Sequence, residues 1–238
     1  MKDAAREPEI RNKSILQDIA KRAMLQRGLR PEFSSECISE LEKIKAPAKP
    51  DSAGNARDLR HMLWASIDND DSEDLDQLTV AEALPEGKIR ILVAIADVDS
   101  LVKKNSAIDR DAQANTTSIY TAARIFPMLP LKLSTNLTSL NLNQDRLAVV
   151  VDMTLDPEGR LLDSDVYRAA VHNHAKLAYN SLAVWLEGES EIPAAAAAVE
   201  GLAENLLLQD KAAQMMKSLR HQEGALSLET IEAKAVFQ

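Results

Sequence analysis

The window SIDNDDSEDLDQL, residues 66–78, places Asp68, Asp70, Asp71, Glu73, Asp74 and Asp76 within nine positions. Like charges so close repel, and some carboxylates take up protons unless solvent or a cation relieves them. Two readings follow. The window is a solvated acidic loop, or it holds a hard divalent cation that wants oxygen ligands. Its flanks, Leu63–Ile67 and Leu78–Val80, read as core strand, which would clamp the carboxylates close together. Calcium in an EF-hand-like loop would use Asp68, Asp70 and Ser72. That loop needs glycine where Glu73 stands and glutamate where Thr79 stands, and the flanking helices are missing. Magnesium needs only a few carboxylates and completes its shell with water or substrate phosphate, which suits phosphoryl-transfer chemistry.

The other reactive side chains read blandly. His172 and His174 share one side of an extended segment without a third ligand nearby, and His61 reads as a surface residue before the acidic window. Cys37 is the only cysteine, so neither a disulfide nor a cysteine cage is available, and it reads as a small core residue. Asp97 stands at a strand end near the cluster, where a supporting role and a direct one are both open.

The elements that must position these groups follow from periodicity. Ile10, Ile15, Leu16, Ile19, Ala20, Ala23 and Met24 recur at helical spacing, stopped by Gly28 and Pro31. Ser34 or Ser35 caps a second helix with Ile38, Leu41 and Ile44 as its stripe. Residues 1–46 are therefore expected to be a helical arm and 47–56, small and Pro/Gly-bearing, a linker. Strands are expected at 64–67, 75–81 and 89–98, the last two paired across PEGK and the last buried on both faces. Ser106–Ala114 suits a short helix, while Pro127 and Pro130 bar 117–130 from a central strand. A second hairpin, 146–155 with 160–171, turns at DPEG. His174–Gly188 and Pro193–Gln222 read as helices, the second stopped by Gly224, and Ala225–Phe237 as a final strand. Hairpins with interleaved helices give an α+β fold, a mixed or antiparallel sheet with packed helices.

Composition bounds the function. With 28 Lys and Arg against 37 Asp and Glu, the formal charge of −9 excludes a globally basic nucleic-acid binder but not a local groove. No apolar run is long enough to span a membrane, and Met1–Arg11 lacks an apolar signal core, so a soluble cytoplasmic protein is expected.

The acidic window resembles the signature of the ribonuclease II and ribonuclease R family of processive 3′ exoribonucleases. Further segments agree in order and spacing: DLR at 58–60, VAIADV at 93–98, TSIYTAARIFPMLPLKLSTNLTSLN at 117–141, DRLAVVVDMTLDPEGRL at 145–161 and HAKLAYNSLAVWL at 174–186. The resemblance covers about residues 57–238 and implies part of an RNB-type catalytic domain. By resemblance, Asp68, Asp74 and Asp76 hold magnesium and position the scissile phosphate, with Asp74 and Asp76 as the catalytic pair. Gln77 stands where the family has a fourth aspartate; its amide oxygen can bind a cation but brings no charge. Tyr179 matches the tyrosine that stacks on a terminal base, and Arg124 is a candidate phosphate contact whose alternative is an ion pair. The implied activity is metal-dependent 3′–5′ hydrolysis of single-stranded RNA; the alternative is an impaired RNA-binding fragment or pseudoenzyme. The family's catalytic domain continues past residue 238, and cold-shock-type barrels precede it, whereas residues 1–56 here carry only Phe33 as an aromatic. The expected partners are therefore RNA and either the C-terminal remainder of the domain or a second copy, meeting an exposed apolar face.

Overall fold

The computed structural model describes residues 6–49 and 54–226, with side chains from residue 14 onward. In chain order the elements are α1 (Arg6–Gln26), α2 (Ser35–Lys43), β1 (Arg57–Asp58), β2 (Ala65–Asp68), β3 (Gln77–Ala83), β4 (Ile89–Ala96), α3 (Ala107–Asn115), β5 (Ile119–Tyr120), β6 (Ile125–Phe126), β7 (Asp145–Leu155), β8 (Leu161–His172), β9 (Ala175–Ala178), α4 (Tyr179–Leu186), α5 (Ala194–Ala197) and α6 (Leu202–Gln222). They form two compact units.

One unit comprises residues 6–45 and 102–132. Gly28, at φ +75°, ends α1, with the amides of Gly28 and Leu29 turning back onto Leu25 and Met24. Ser34 caps α2 by accepting from the Cys37 amide at 3.1 Å. The arm does not stand alone. Asp111 of α3 accepts from the Ser34 amide at 2.7 Å and from Arg30 at 2.8 Å, and Asn115 pairs with both backbone groups of Arg30. Residues 102–132 thus belong to the same compact unit as the two helices. Within 117–130 the prolines limit pairing to the two-residue ladder of β5 and β6.

The other unit holds a seven-stranded sheet in the order β1-β8-β7-β4-β3-β2-β9. Its centre is antiparallel, and β1 and β9 join as parallel edges. Both expected hairpins are present, β3–β4 around Pro85–Gly87 and β7–β8 around Asp156–Gly159. One face of the sheet buries Leu78, Val80, Leu92, Ala94, Ala148, Val150 and Val171 with Trp64, whose indole N–H donates to the Leu59 carbonyl at 2.8 Å. The other face carries α6, tied to β3 by Asn205 on both backbone groups of Ala81 and by Thr79 donating to Gln209. β4 is not buried on both faces throughout, because Ile95 lies beyond the helix and is 46% exposed.

Two helical expectations change. The stretch 174–188 opens as strand β9 and turns helical only at Tyr179, because Ala175 and Leu177 pack at strand spacing into an apolar cluster. The stretch 193–222 breaks into α5 and α6 at Gly201, whose φ of +78° no other residue adopts as cheaply. Gly224, at φ +92°, ends α6 as expected. Of the final strand expected at 225–237, all but Ala225 and Leu226 lie outside the described residues, and those two are not in a strand. No helix among the described residues is long and apolar enough to cross a membrane.

Candidate active site

Asp68 is the last residue of β2, and Gln77 is the first of β3. The antiparallel pairing of these strands makes 69–76 a loop at one end of the sheet, projecting Asp70, Asp71, Glu73, Asp74 and Asp76 into solvent. A type of local order the residues dictate appears at its start: Asp68 accepts from the Asn69 amide at 2.7 Å, and the Ser72 amide turns back onto the Asn69 carbonyl. The later half is held by the segment after a wide π-helical turn, Lys132–Leu137. Ser139 accepts from the Leu75 amide at 3.0 Å, and the Leu140 amide donates to the Leu75 carbonyl at 2.7 Å. The Asp76 carbonyl accepts from the Ala96 amide, which fixes its backbone against β4.

The electrostatics at Asp76 are those of a carboxylate among like charges. Partial burial raises the Asp76 carboxyl above the usual carboxylate range, its own amide works against this, and the charges of Asp68 and Asp74 add to the rise. Among the described residues, no Lys or Arg side chain pairs with Asp68, Asp70, Asp74 or Asp76. No three His, Cys, Asp or Glu groups among them close into a metal cage either. Gln77 is exposed at the strand start, opposite Ile95 in register.

Tyr179 shares this end of the sheet. Ala178, in register with Asp68, ends β9, and Tyr179 opens α4 directly after it with its side chain 46% exposed. No side chain caps that helix, so its first amides are open to an anion.

The remaining candidates lie elsewhere. Arg124 belongs to the unit of 6–45 and 102–132. There its guanidinium pairs with Glu32 at 3.2 Å, beside Lys21, and sits 4.9 Å from the Phe126 ring centre. The ion-pair alternative is therefore present within that unit. Asp97 is buried with Arg168 Nε 2.9 Å from its carboxylate, and the same guanidinium holds Asp99 at 2.6 Å. His172 bonds Asp145 at 2.6 Å and His174 contacts the Arg60 carbonyl, so the pair is occupied by protein partners. Cys37 is fully buried, and burial pushes its thiol up to about 11, with Asp111 adding to it.

One residue the sequence did not single out touches the loop. Lys176 of β9 donates from its ammonium to the Ser72 carbonyl. Reading 174–188 as helical hid it; the strand alternation Ala175, Lys176, Leu177 was the signal available.

The family model of the RNB domain matches residues 56–238. Ribonuclease R of Vibrio cholerae is 37% identical over 189 residues, which are 79% of this chain and 23% of that protein. The structure of Mycoplasma genitalium RNase R in complex with ribose methylated single-stranded RNA superposes with a TM-score of 0.83 at 27% identity, over 94% of this chain and 34% of that one. Yeast Ssd1, a pseudonuclease, shares the fold with a TM-score of 0.52 at 18% identity, over 62% of this chain and 18% of that one. The chain thus spans about a quarter of the length of the curated relative it matches.

Proposed function

The chain belongs to the RNB-domain family, and from that premise we propose that it is the acidic part of a metal-dependent 3′–5′ exoribonuclease site acting on single-stranded RNA in the cytoplasm. The observation that carries this reading is the loop of unpaired carboxylates, Asp68, Asp74 and Asp76, at the sheet end where Tyr179 is presented.

The chemistry of the donors is the kind magnesium takes. It is all oxygen, it is accessible, and the mutual repulsion felt at Asp76 is relieved by a cation. Among the described residues no three carboxylates close on one point, so water and substrate phosphate would have to supply most of the ion's shell. Asp68, Asp74 and Asp76 would hold it, with Gln77 as a neutral oxygen donor. When bound, magnesium supplies an acidified water and charge to offset the phosphate. The chain's own residues do the rest. β2 and β3 fix the spacing of Asp68 from Asp76, and Ser139 and Leu140 hold the loop between them. Tyr179 offers a sequence-tolerant stacking surface for a terminal base, and the open amides of α4 favour phosphate nearby.

A denaturing-gel assay with 5′-labelled single-stranded RNA, run with magnesium and with chelator, tests this. A ladder shortening from the 3′ end only with magnesium is expected. Gln77 favours a second reading, an RNA-binding protein with weakened chemistry, because one formal charge is missing from the cluster. Intact RNA that nonetheless shifts on a native gel would select it, and RNA neither cut nor retained would count against both.

A further inference from the structure

The helix α1 packs on its own unit along one side. Met24 is buried there, Gln17 donates to the Ala123 carbonyl at 3.3 Å, and Lys21 pairs with Glu32 at 2.8 Å. The opposite side is bare. Ile15, Ile19 and Leu25 are 49%, 46% and 61% exposed, and Asp18 and Arg22 are exposed among them. Exposed apolar side chains gathered on one side and rimmed by charge mark an interaction surface.

The spacing says what kind of surface it is. Ile15, Asp18, Arg22 and Leu25 follow one another by three, four and three residues, the seam of a helix that pairs with another helix, and Ile19 flanks that seam. The two middle members carry opposite charges. They stand four apart, close enough to pair along the helix, yet no ion pair joins them to each other or to any other described residue.

A second copy of α1, laid antiparallel, supplies the missing partners. With Ile15 set opposite Leu25 of the second copy, Asp18 falls opposite Arg22, Arg22 opposite Asp18 and Leu25 opposite Ile15. Each apolar residue meets an apolar one and each charge meets its opposite, repeated by symmetry as a two-fold contact requires. A parallel pair would set Asp18 on Asp18 and Arg22 on Arg22, so charge selects the antiparallel orientation. Polar residues within such a seam fix its register at a cost in stability.

We propose that the bare side of α1 is a homodimer surface, two copies meeting antiparallel through Ile15 and Leu25 with Asp18 and Arg22 paired across the two-fold axis. The reading is independent of the exoribonuclease site. A seam this short makes a weak dimer that assembles with concentration.

Sedimentation velocity of the full chain, without RNA and across concentrations into the high micromolar range, tests it. The parent is expected to pass from monomer to dimer. D18R sets arginine against arginine at both symmetric positions and should raise the dissociation constant roughly tenfold. R22D should do the same with aspartate against aspartate, and the double variant D18R/R22D, with every pair reversed, should restore the dimer. All of these side chains are exposed, and circular dichroism checks that each variant keeps its helices; should D18R fail to fold, R22E carries the same comparison. A parent that stays monomeric throughout overturns the surface. Dimerisation that the single reversals leave unchanged, or that the double variant does not recover, overturns the antiparallel pairing.

Discussion

Replacing Asp76 by Asn should make the protein more stable and less active, and the two effects have one cause. The Asp76 carboxyl is raised by partial burial and by the charges of Asp68 and Asp74, partly offset by its own amide. A carboxylate raised in the folded state helps folding below its unfolded pKa and loses that help as pH rises through the folded value. At neutral pH the ionised group is therefore a net burden. The side chain is exposed, so each repulsion is screened to about 0.2–1 kcal/mol. Two such pairs amount to about 0.4–2 kcal/mol before the local hydrogen bond is set against them, so D76N is expected to melt slightly above the parent, by at most a few degrees. Magnesium reverses the order. At one hundred times Kd a bound ion adds about 2.7 kcal/mol to the parent, and D76N gains less. Hydrolysis should fall on the order of 10²–10⁴-fold, as for loss of a group acting at the reacting centre. Differential scanning fluorimetry with chelator and then with magnesium reads both states. A D76N protein that melts below the parent in chelator would refute the repulsion argument, and equal magnesium shifts would remove Asp76 from the cation.

Other outcomes follow from the same structure. Tyr179→Ala should weaken binding of single-stranded RNA in fluorescence anisotropy by about 1–3 kcal/mol per stacked base, whereas Tyr179→Phe should not; equal losses would show that no stacking occurs there. Arg90 forks onto Asp152 at 2.9 and 2.6 Å, and Tyr167 donates to the same carboxylate. The Arg90 hydrogen bonds hold Asp152 below its ordinary 3.8, so their stabilisation is present above that pH and is lost as pH falls through the lowered value. R90M should cost about 2–3 kcal/mol in urea denaturation at pH 7, the half-exposed version of a broken buried pair, and the gap from the parent should close below pH 3.8. At Gly159, φ is +86° and an added Cβ would lie 2.6 Å from the Met215 carbonyl carbon. G159A should therefore cost about 2–4 kcal/mol through backbone strain and the displaced α6, visible as a thermal shift on the order of 10 °C.

How much of this was legible in the sequence depended on distance along the chain. The hairpins were, because PEGK and DPEG sit between the strands they join and the alternation on either side is local. The caps Ser34 and Gly224 were legible for the same reason. The arm's true partners were not: Asp111 and Asn115 meet Arg30 and Ser34 from some eighty positions away, and nothing in the periodicity of 1–46 points to α3. Alanine's helix propensity carried the reading of 193–222 across Gly201, where the backbone turns left-handed. β9 was lost because Leu177 and Val184 also fit a helical period; only pairing with a strand over a hundred residues earlier makes Ala175–Ala178 extended.

The candidate site divides along the same line. Its acids could be read from one short window, since carboxylates at close spacing declare themselves by type. The groups that hold those acids in place could not, since Lys176, Ser139 and Leu140 are ordinary residues until the sheet brings them to Ser72 and Leu75. Arg124, whose type suits RNA phosphate, is paired with Glu32 within its own unit. Residue type thus predicts what chemistry is available, whereas competition among partners decides which side chains remain available for it. In this chain that competition leaves Asp68, Asp74 and Asp76 unpaired, while Arg124, Asp97 and His172 are taken up within the fold. A cation site needs that inequality as much as it needs the acids, because a carboxylate already paired with arginine gives up its partner before it can bind a metal ion.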